Sequence, residues 1–141
     1  MNRSITPSLT QKARHIGLLG GTFDPIHHAH LIIAEEVRAA LGLSEMVFIP
    51  SGQPPHKPGR HIASAEQRMT MLELAIASNP HFSSSRIELD RPGPSYLVDT
   101  LRLLREQWGD EVGLAFVVGW DSLEELIPGI IQKGFWHRLI T

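Results

Sequence analysis

The 141-residue sequence predicts an α/β fold, a doubly wound parallel sheet. Short apolar runs of strand length alternate along the chain with stretches in which apolar residues recur at helical spacing. Three of these runs, at 16–19, 46–49 and 114–118, are continuous in apolar residues, as expected for parallel strands buried on both faces. Glycine or proline follows each run and marks the turn that ends it.

Composition and charge narrow the class of protein. Hydrophobic residues make up 42% and charged residues 20% of the chain, which is ordinary for a globular domain. A net charge of -2 argues against a dedicated nucleic-acid binder, and no apolar run approaches the ~18 residues that span a membrane. The chain has no cysteine, which excludes disulfides and cysteine-held zinc and is compatible with a reducing cytoplasm.

The first elements follow a short polar leader. We expect residues 1–14 to be flexible and residues 15–141 to form the domain. The apolar run at 16–19 predicts a buried strand, which the glycine pair at 20–21 ends. A helix is predicted next, with Gly42 as its C-cap. The apolar positions of this helix are Leu31, Ala34, Val37 and Leu41.

The middle of the chain repeats the alternation. Residues 46–49 predict a second strand, ended by Pro50, and a loop rich in proline, glycine and histidine covers residues 51–63. Ser64 and Gln67 have capping-box spacing at the start of the next helix. The apolar face of that helix consists of Met69, Leu72 and Ile76.

Four further elements complete the prediction. Residues 82–89 predict a weaker strand, and Ser95 is a plausible N-cap for the helix that follows it. The run at 114–118 is the clearest buried strand in the sequence, and Asp121 and Glu124 begin another short helix. The apolar side of the helix after Ser95 consists of Leu97, Leu101, Leu104 and Trp108.

The loops that follow these strands are predicted to converge. Parallel strands joined by right-handed crossovers place their carboxyl ends at one edge of the sheet, where ligands of such folds bind. Four loops lie at that edge or close to it, namely residues 20–30, 51–57, 92–95 and 119–122. The sequence therefore predicts one site to which all four loops contribute.

The loop at 20–30 has the composition of an anion site. Its glycine pair lets backbone N–H groups approach a phosphate, and the following helix N-terminus adds partial positive charge. The pattern matches neither the dinucleotide-binding nor the Walker motif, and a bare glycine pair is usually an ordinary tight turn. His27 and His30 favour the phosphate site, because their spacing at a helix start places both imidazoles on one face.

Two other interpretations of the histidine pair stay open. Both side chains are compatible with a solvated surface. The other interpretation is a zinc site, but no third ligand has convincing spacing, so we predict no metal held by the protein itself.

The same loop carries a resemblance to a known family. Residues 20–30, with the sequence GGTFDPIHHAH, resemble the signature of the nucleotidyltransferase superfamily and its His-x-Gly-His motif. Ala29 stands where that motif usually has glycine. We expect its methyl group to crowd the triphosphate without abolishing the chemistry.

Three later segments indicate which branch of that family the sequence resembles. Residues 50–57, 91–101 and 118–123 resemble, in the family's order, further signatures of bacterial nicotinate-nucleotide adenylyltransferases. The resemblance covers the chain from about residue 15 to about residue 126. Four signatures in order make it specific, and it implies the Rossmann-like fold of the nucleotidyltransferases.

The resemblance also implies roles for individual residues. The catalytic residues would be His27, His30 and Lys57. The nucleotide-binding residues would be Gly20, Gly21, Thr22, Phe23, Gly119, Asp121 and Ser122. The substrate-binding residues would be Asp24, Ser51, Pro55, His56, Ser95, Tyr96 and Trp120. Ordinary roles stay open beside these, such as a solvated Lys57, a loop-capping His56 or an N-capping Asp121.

The implied reaction is the transfer of AMP from ATP to nicotinate mononucleotide, which gives deamido-NAD and pyrophosphate in NAD biosynthesis. The attacking phosphate is already anionic, so no general base is required, and Mg²⁺ is expected to arrive with ATP. The expected partners are these nucleotides, with neither nucleic acid nor membrane, and homo-oligomer formation stays open.

Two alternatives remain. One is a sister adenylyltransferase that acts on nicotinamide mononucleotide or phosphopantetheine. The other is a non-catalytic nucleotide-binding module, which the end of the chain favours. Residues 127–134 depart from the family's usual run, and the family's arginine-ending triphosphate motif does not follow Trp136. We therefore expect a C-terminally shortened member of the family.

Overall fold

The computed structural model describes residues 14–52, 62–91 and 97–117. They form four strands and three helices in strict alternation. The strands are β1 (His15–Gly21), β2 (Glu45–Pro50), β3 (Phe82–Ser84) and β4 (Gly113–Val117). The helices are α1 (His28–Leu41), α2 (Ala65–Ile76) and α3 (Leu97–Trp108). Across these ranges, no helix is both long enough and apolar enough to span a membrane.

The four strands form one parallel sheet in the order β3-β2-β1-β4. Leu18 of β1 lies opposite Val47 of β2 on one side and opposite Phe116 of β4 on the other. The chain builds the sheet outward from β1 to β3 and then returns to the other side of β1. This arrangement confirms the predicted doubly wound α/β fold and puts the change of direction between β1 and β4, where such sheets bind ligands.

Two apolar cores cover the two faces of the sheet. Along β2 the side chains alternate between them, because successive residues of a strand point to opposite faces. Met46 and Phe48 join the core on the face of α1 and α2, which also holds Ala34, Met69, Leu72 and Ile76. Val47 and Ile49 join the core beneath α3, which also holds Ile16, Leu18, Leu104 and Val112. Helices thus cover both faces of the sheet.

The helix ends follow the predicted capping chemistry. Gly42 ends α1 in the left-handed conformation, with φ 65°, and its N–H donates to Ala39 O. Ser64 caps α2 reciprocally: the Gln67 N–H donates to Ser64 Oγ, and the Ser64 N–H donates to Gln67 Oε1, both at 3.1 Å. Leu41, which belonged to the apolar pattern that predicted α1, is 61% exposed.

The predicted strand at 82–89 is wrong beyond Ser84. The Ser85 N–H still donates to Phe48 O, but the chain then turns, and the Asp90 N–H donates to Arg86 O at 2.9 Å. Beyond Phe48, β2 has no N–H group with which to continue its hydrogen bonds to β3. Pro50 has no N–H, and the Ser51 N–H donates to Gly21 O of β1. Residues 87–89 therefore form a turn.

The strand predicted at 114–118 is present as β4 through Val117, but the prediction that it is a buried strand is wrong. Every residue of β4 is half-buried, and Val118 lies outside the described ranges. Within those ranges β4 pairs with β1 on one side only, so its other edge receives no cover from a neighbouring strand. Its apolar composition reflects the sheet environment but does not fix the depth of burial.

The leader and the last predicted helix lie outside the described ranges, except for Arg14. Arg14, which the sequence assigned to the leader, is joined to the sheet. Its carbonyl accepts from the Gly113 N–H at 2.8 Å, and its guanidinium pairs with Glu45. Arg14 is thus bonded to the sheet directly before β1.

The core beneath α2 yields a stability prediction. Leu72 is fully buried, whereas Leu74 on the same helix is 75% exposed. We expect Leu72→Ala to lower the free energy of unfolding by about 2–5 kcal/mol, because it removes buried methyl groups and leaves a cavity. Leu74→Ala is the matched control and is expected to change it by less than about 0.5 kcal/mol. Equal losses in urea unfolding would contradict the packing described.

Candidate active site

The loop between β1 and α1 is held from inside the core by Phe23. This side chain is 2% exposed, and its backbone is left-handed, with φ 51°, which is uncommon for a residue with a side chain. Its ring packs 5.9 Å from Phe48 and, edge to face, 5.1 Å from His30, measured between ring centroids. A Cβ atom at Gly21 would lie 3.2 Å from the Phe23 ring, so glycine lets the ring pack this closely. Phe23 therefore shapes the loop and leaves only its backbone for the predicted nucleotide contact.

His27 and His30 lie together at the start of α1, as predicted. His27 is the N-cap residue, and the two imidazole rings stack with centroids 3.9 Å apart. The His27 N–H donates to His30 Nδ1 at 3.1 Å. Because this bond makes Nδ1 an acceptor, neutral His30 carries its proton on Nε2. The N–H of the His30 ring is therefore on Nε2, the nitrogen that does not accept from the His27 backbone.

The protonation state of His30 is set by its surroundings. Burial lowers the pKa of His30 below its usual value of 6.5, and the neighbouring His27 lowers it further. Protonation would also put a hydrogen on Nδ1, opposite the His27 N–H. Near neutral pH, His30 is therefore a neutral hydrogen-bond donor through Nε2.

The helix start itself favours an anion. The N-terminus of α1 carries partial positive charge from its aligned peptide groups, and its first turn contains no acidic residue that would offset this charge. His27, His28 and Ala29 are exposed there. A phosphate placed at this end of α1 would meet backbone N–H groups and two imidazoles.

Arg68, which the sequence analysis did not single out, connects the loops through hydrogen bonds to their backbone. It is 2% exposed and lies in the first turn of α2. Its Nη1 donates to Thr22 O and to Ser51 O, both at 2.9 Å, and its Nε donates to Ala63 O at 3.1 Å. One side chain thus connects the loop after β1, the loop after β2 and the segment before α2.

The charge of Arg68 is buried without a direct ion pair among the described residues. Burial lowers the pKa of Arg68, while the Asp24 carboxylate acts against this shift. An arginine still stays protonated, because its intrinsic pKa lies far above neutral pH. Asp24 Oδ2 itself accepts from the Ala63 N–H at 3.1 Å. The positive charge behind the two loops is therefore offset mainly by carbonyl oxygens and one nearby carboxylate.

The structure brings together part of the predicted site. Three predicted residues converge through Arg68 and Ala63: Thr22 and Ser51 by their carbonyls, and Asp24 by its side chain. The hydroxyl of Ser51 is buried, and no partner for it occurs among the residues the structure describes. Gly20 lies at the end of β1, where a Cβ atom would meet Phe116 at 3.4 Å. Asp24 thus holds the loop, in addition to the substrate contact predicted for it.

The remaining predicted site residues lie outside the described ranges and stay predictions. They are Pro55, His56, Lys57, Ser95, Tyr96, Gly119, Trp120, Asp121 and Ser122. Within the ranges that are described, no group of three histidine or carboxylate side chains is arranged to hold a metal ion. The zinc interpretation of His27 and His30 therefore gains no third ligand from this part of the chain.

Comparison with known proteins identifies the family. The model of the cytidylyltransferase-like family matches residues 18–138. A probable nicotinate-nucleotide adenylyltransferase from Thermomicrobium roseum is 52% identical over 79% of this chain, and the match spans 51% of that protein. One from Acidothermus cellulolyticus is 46% identical over 94% of this chain and 72% of that protein. The chain thus spans about half to three-quarters of the length of these curated relatives.

Solved structures share the fold at low sequence identity. A putative nicotinate-nucleotide adenylyltransferase from Vibrio parahaemolyticus superposes with a TM-score of 0.71 at 15% identity, covering 89% of this chain and 74% of that one. The nicotinic acid mononucleotide adenylyltransferase of Plasmodium falciparum, complexed with NaAD, superposes with a TM-score of 0.63 at 18% identity. That match covers 83% of this chain and 55% of the Plasmodium chain.

Arg68→Met tests the connection between the loops. We expect it to lower the free energy of unfolding by about 3 kcal/mol or more, because each buried carbonyl left without a donor costs about 1–3 kcal/mol. Arg102→Met is the control, since Arg102 is 65% exposed and its pair with Asp99 contributes little. A loss below about 1 kcal/mol for Arg68→Met in urea unfolding would show that the three bonds are not needed.

The direction in which the pKa of His30 is shifted can be measured. We expect the imidazole of His30 to titrate below pH 6.5 in an NMR titration, and His27→Ala to move that midpoint upward. As the pH falls, the unfolded chain takes up this proton before the folded chain does. The free energy of unfolding should therefore decrease as the pH is lowered just below 6.5. A midpoint above 6.5, or a downward shift in His27→Ala, would contradict the described environment.

Proposed function

The chain belongs to the cytidylyltransferase-like family and, within it, to the nicotinate-nucleotide adenylyltransferases, and we propose that it adenylylates nicotinate mononucleotide. The products would be deamido-NAD and pyrophosphate, a step of NAD biosynthesis in the cytoplasm. The observation that carries the proposal is the stacked His27–His30 pair at the start of α1, beside the point where the sheet changes direction. That combination offers hydrogen-bond donors and helix charge to a polyphosphate.

The proposed chemistry is a direct displacement. A phosphate oxygen of the mononucleotide attacks the α-phosphorus of ATP, and the bond from that phosphorus to the bridging oxygen of the β-phosphate breaks as pyrophosphate leaves. The nucleophile is already an anion at neutral pH, so the site needs alignment and charge stabilisation and no general base. This agrees with a histidine pair in which His30 is a neutral donor.

Each residue of the pair has a proposed task. His30 donates from Nε2 to a phosphoryl oxygen that gains charge as the bond to pyrophosphate breaks. His27, whose ring stacks on His30, adds a second donor and holds the His30 ring through its backbone N–H. The N-terminus of α1 and the backbone at Gly20 and Gly21 receive the remaining phosphate oxygens.

The proposed contributions of later loops rest on the resemblance. Lys57 would add a point charge at the phosphates, and Asp121 would accept from a ribose hydroxyl. Pro55, His56, Ser95, Tyr96 and Trp120 would contact the mononucleotide. These assignments complete the site and are independent of the geometry at α1.

Mg²⁺ is proposed to reach the site bound to ATP. The groups at the start of α1 are imidazole and backbone nitrogens, whereas Mg²⁺ prefers oxygen ligands and several waters. The triphosphate supplies such oxygens itself. When bound, the ion would neutralise charge on the phosphates, while His27 and His30 orient them.

A substrate panel tests the reaction. The full chain is incubated with ATP and Mg²⁺ and with nicotinate mononucleotide, nicotinamide mononucleotide or phosphopantetheine, and pyrophosphate release is measured. We expect release with nicotinate mononucleotide to exceed that with the other two. Release that is fastest with another acceptor would assign the chain to a sister activity. Binding of ATP without release in any reaction would indicate a nucleotide-binding module.

His30→Ala tests the histidine pair. We expect kcat to fall by about 100- to 1,000-fold, because a preorganised donor to the transition state is lost. The matched control is His28→Ala, an exposed histidine of the same helix turn that we expect to change kcat less than about twofold. Near-normal turnover in His30→Ala, or equal losses in the two variants, would refute the proposed role.

A further inference from the structure

The peptide that joins Thr22 to Phe23, in the loop after β1, is held at both ends. At one end the Thr22 carbonyl accepts from Nη1 of Arg68 at 2.9 Å. At the other end the Phe23 ring is 2% exposed and packs against Phe48 in the core. The backbone of Phe23 is also left-handed, with φ 51°. The protein itself therefore fixes the orientation of this peptide.

The bond from Arg68 determines the direction in which the Phe23 N–H points. The peptide bond between Thr22 and Phe23 is trans, and in a trans peptide the carbonyl oxygen and the amide hydrogen point in opposite directions. Because the Thr22 oxygen points toward Arg68, the Phe23 N–H points away from it. Among the residues that the structure describes, this N–H has no acceptor. A backbone N–H that is fixed in direction and lacks a protein acceptor there is available to a ligand.

Arg68 is anchored independently of the loop after β1. Its Nη1 also donates to Ser51 O at 2.9 Å, and its Nε donates to Ala63 O at 3.1 Å. The side chain is 2% exposed, and Leu72, one turn further along α2, is fully buried in the core. The guanidinium could follow a rotation of the Thr22 carbonyl only by losing its two other bonds. Arg68 therefore resists reorientation of the Thr22–Phe23 peptide.

This peptide lies beside the histidine pair, because the Phe23 and His30 rings are in contact, with centroids 5.1 Å apart. We propose that Arg68 is a positioning residue that holds the Phe23 N–H as a donor to the polyphosphate of ATP. Arg68 is buried and acts on the ligand through the Thr22–Phe23 peptide. A donor already in place needs no ordering when the ligand binds, which raises affinity. The proposal rests on the proposed function, which puts the polyphosphate at the start of α1.

Inorganic pyrophosphate is the direct probe, because it carries phosphate groups like those of ATP without the nucleoside. In NMR spectra of the full chain, we expect the Phe23 amide proton to move downfield as pyrophosphate is added, because it gains an anionic acceptor. Arg68→Lys keeps the charge but loses the planar fork of donors. We expect this variant to bind pyrophosphate about tenfold more weakly, with a smaller shift at Phe23. A parent chain that binds no pyrophosphate, or binds it without a shift at Phe23, would overturn the proposal without any variant.

Two control variants separate this role from general effects of the substitution. Arg102→Lys makes the same chemical change at a side chain that is 65% exposed, and we expect pyrophosphate affinity to stay within about twofold. Leu72→Ala destabilises the core beneath α2 but removes no bond to the Thr22 carbonyl, so the folded chain should also bind within about twofold. Equal weakening in Leu72→Ala and Arg68→Lys, or parent-like binding by Arg68→Lys, would overturn the proposal.

Turnover measurements separate this role from that of His30 and from the proposed function. In Arg68→Lys we expect KM for ATP to rise about tenfold and kcat to stay within about threefold, because the Phe23 N–H binds the polyphosphate equally before and during transfer. A lower kcat with unchanged KM would overturn the proposal. If the parent chain released no pyrophosphate with any acceptor, the proposed reaction would fail. Weaker binding of added pyrophosphate by Arg68→Lys, with a smaller shift at Phe23, would still support the role of Arg68.

Discussion

The buried guanidinium of Arg68 is the constraint on which the geometry of the site depends. Its planar group reaches carbonyl oxygens of Thr22, Ser51 and Ala63 at once, which the single ammonium of a lysine would not match. The loops after β1 and β2 follow neighbouring strands, so a cation between them fixes both in one arrangement. Leu72 and Ile76, on the same face of α2, pack on the sheet and bring Arg68 to this position.

The electrostatic character of the site follows from the same arrangement. Arg68 puts a buried positive charge behind the loops, and the N-terminus of α1 adds partial charge in front, with no acidic residue in its first turn. His30 contributes a neutral donor, because burial and His27 keep its pKa low. A polyphosphate is the kind of ligand that all three features favour, and adenylyl transfer is the chemistry proposed for it.

Local patterns in the sequence were sufficient to predict the fold and the first loop. The continuous apolar runs, the capping box at Ser64 and the glycine at position 42 each depend on nearby residues, and the structure contains them as predicted. The proximity of His27 and His30 likewise follows from their spacing at a helix start. The residues of the later loops stay predictions, because they rest on the resemblance.

The features that the sequence did not reveal depend on tertiary contacts. Arg68 resembles a solvated surface residue by its type, although its spacing of four from Leu72 and eight from Ile76 was a signal that it shares their buried face. The alternation of Ile87 and Leu89 with polar neighbours resembled a strand, but β2 has no N–H group left to pair with this segment. The depth of β4 depends on its neighbours in the sheet, which composition does not specify.

A crystal structure of the full chain with a non-hydrolysable ATP analogue and Mg²⁺ would test the central claim most directly. The account predicts that the triphosphate lies at the N-terminus of α1, within hydrogen-bond distance of Nε2 of His30, with the Arg68 bonds to Thr22 and Ser51 intact. A triphosphate bound elsewhere, or one at this position that makes no contact with His30, would contradict it.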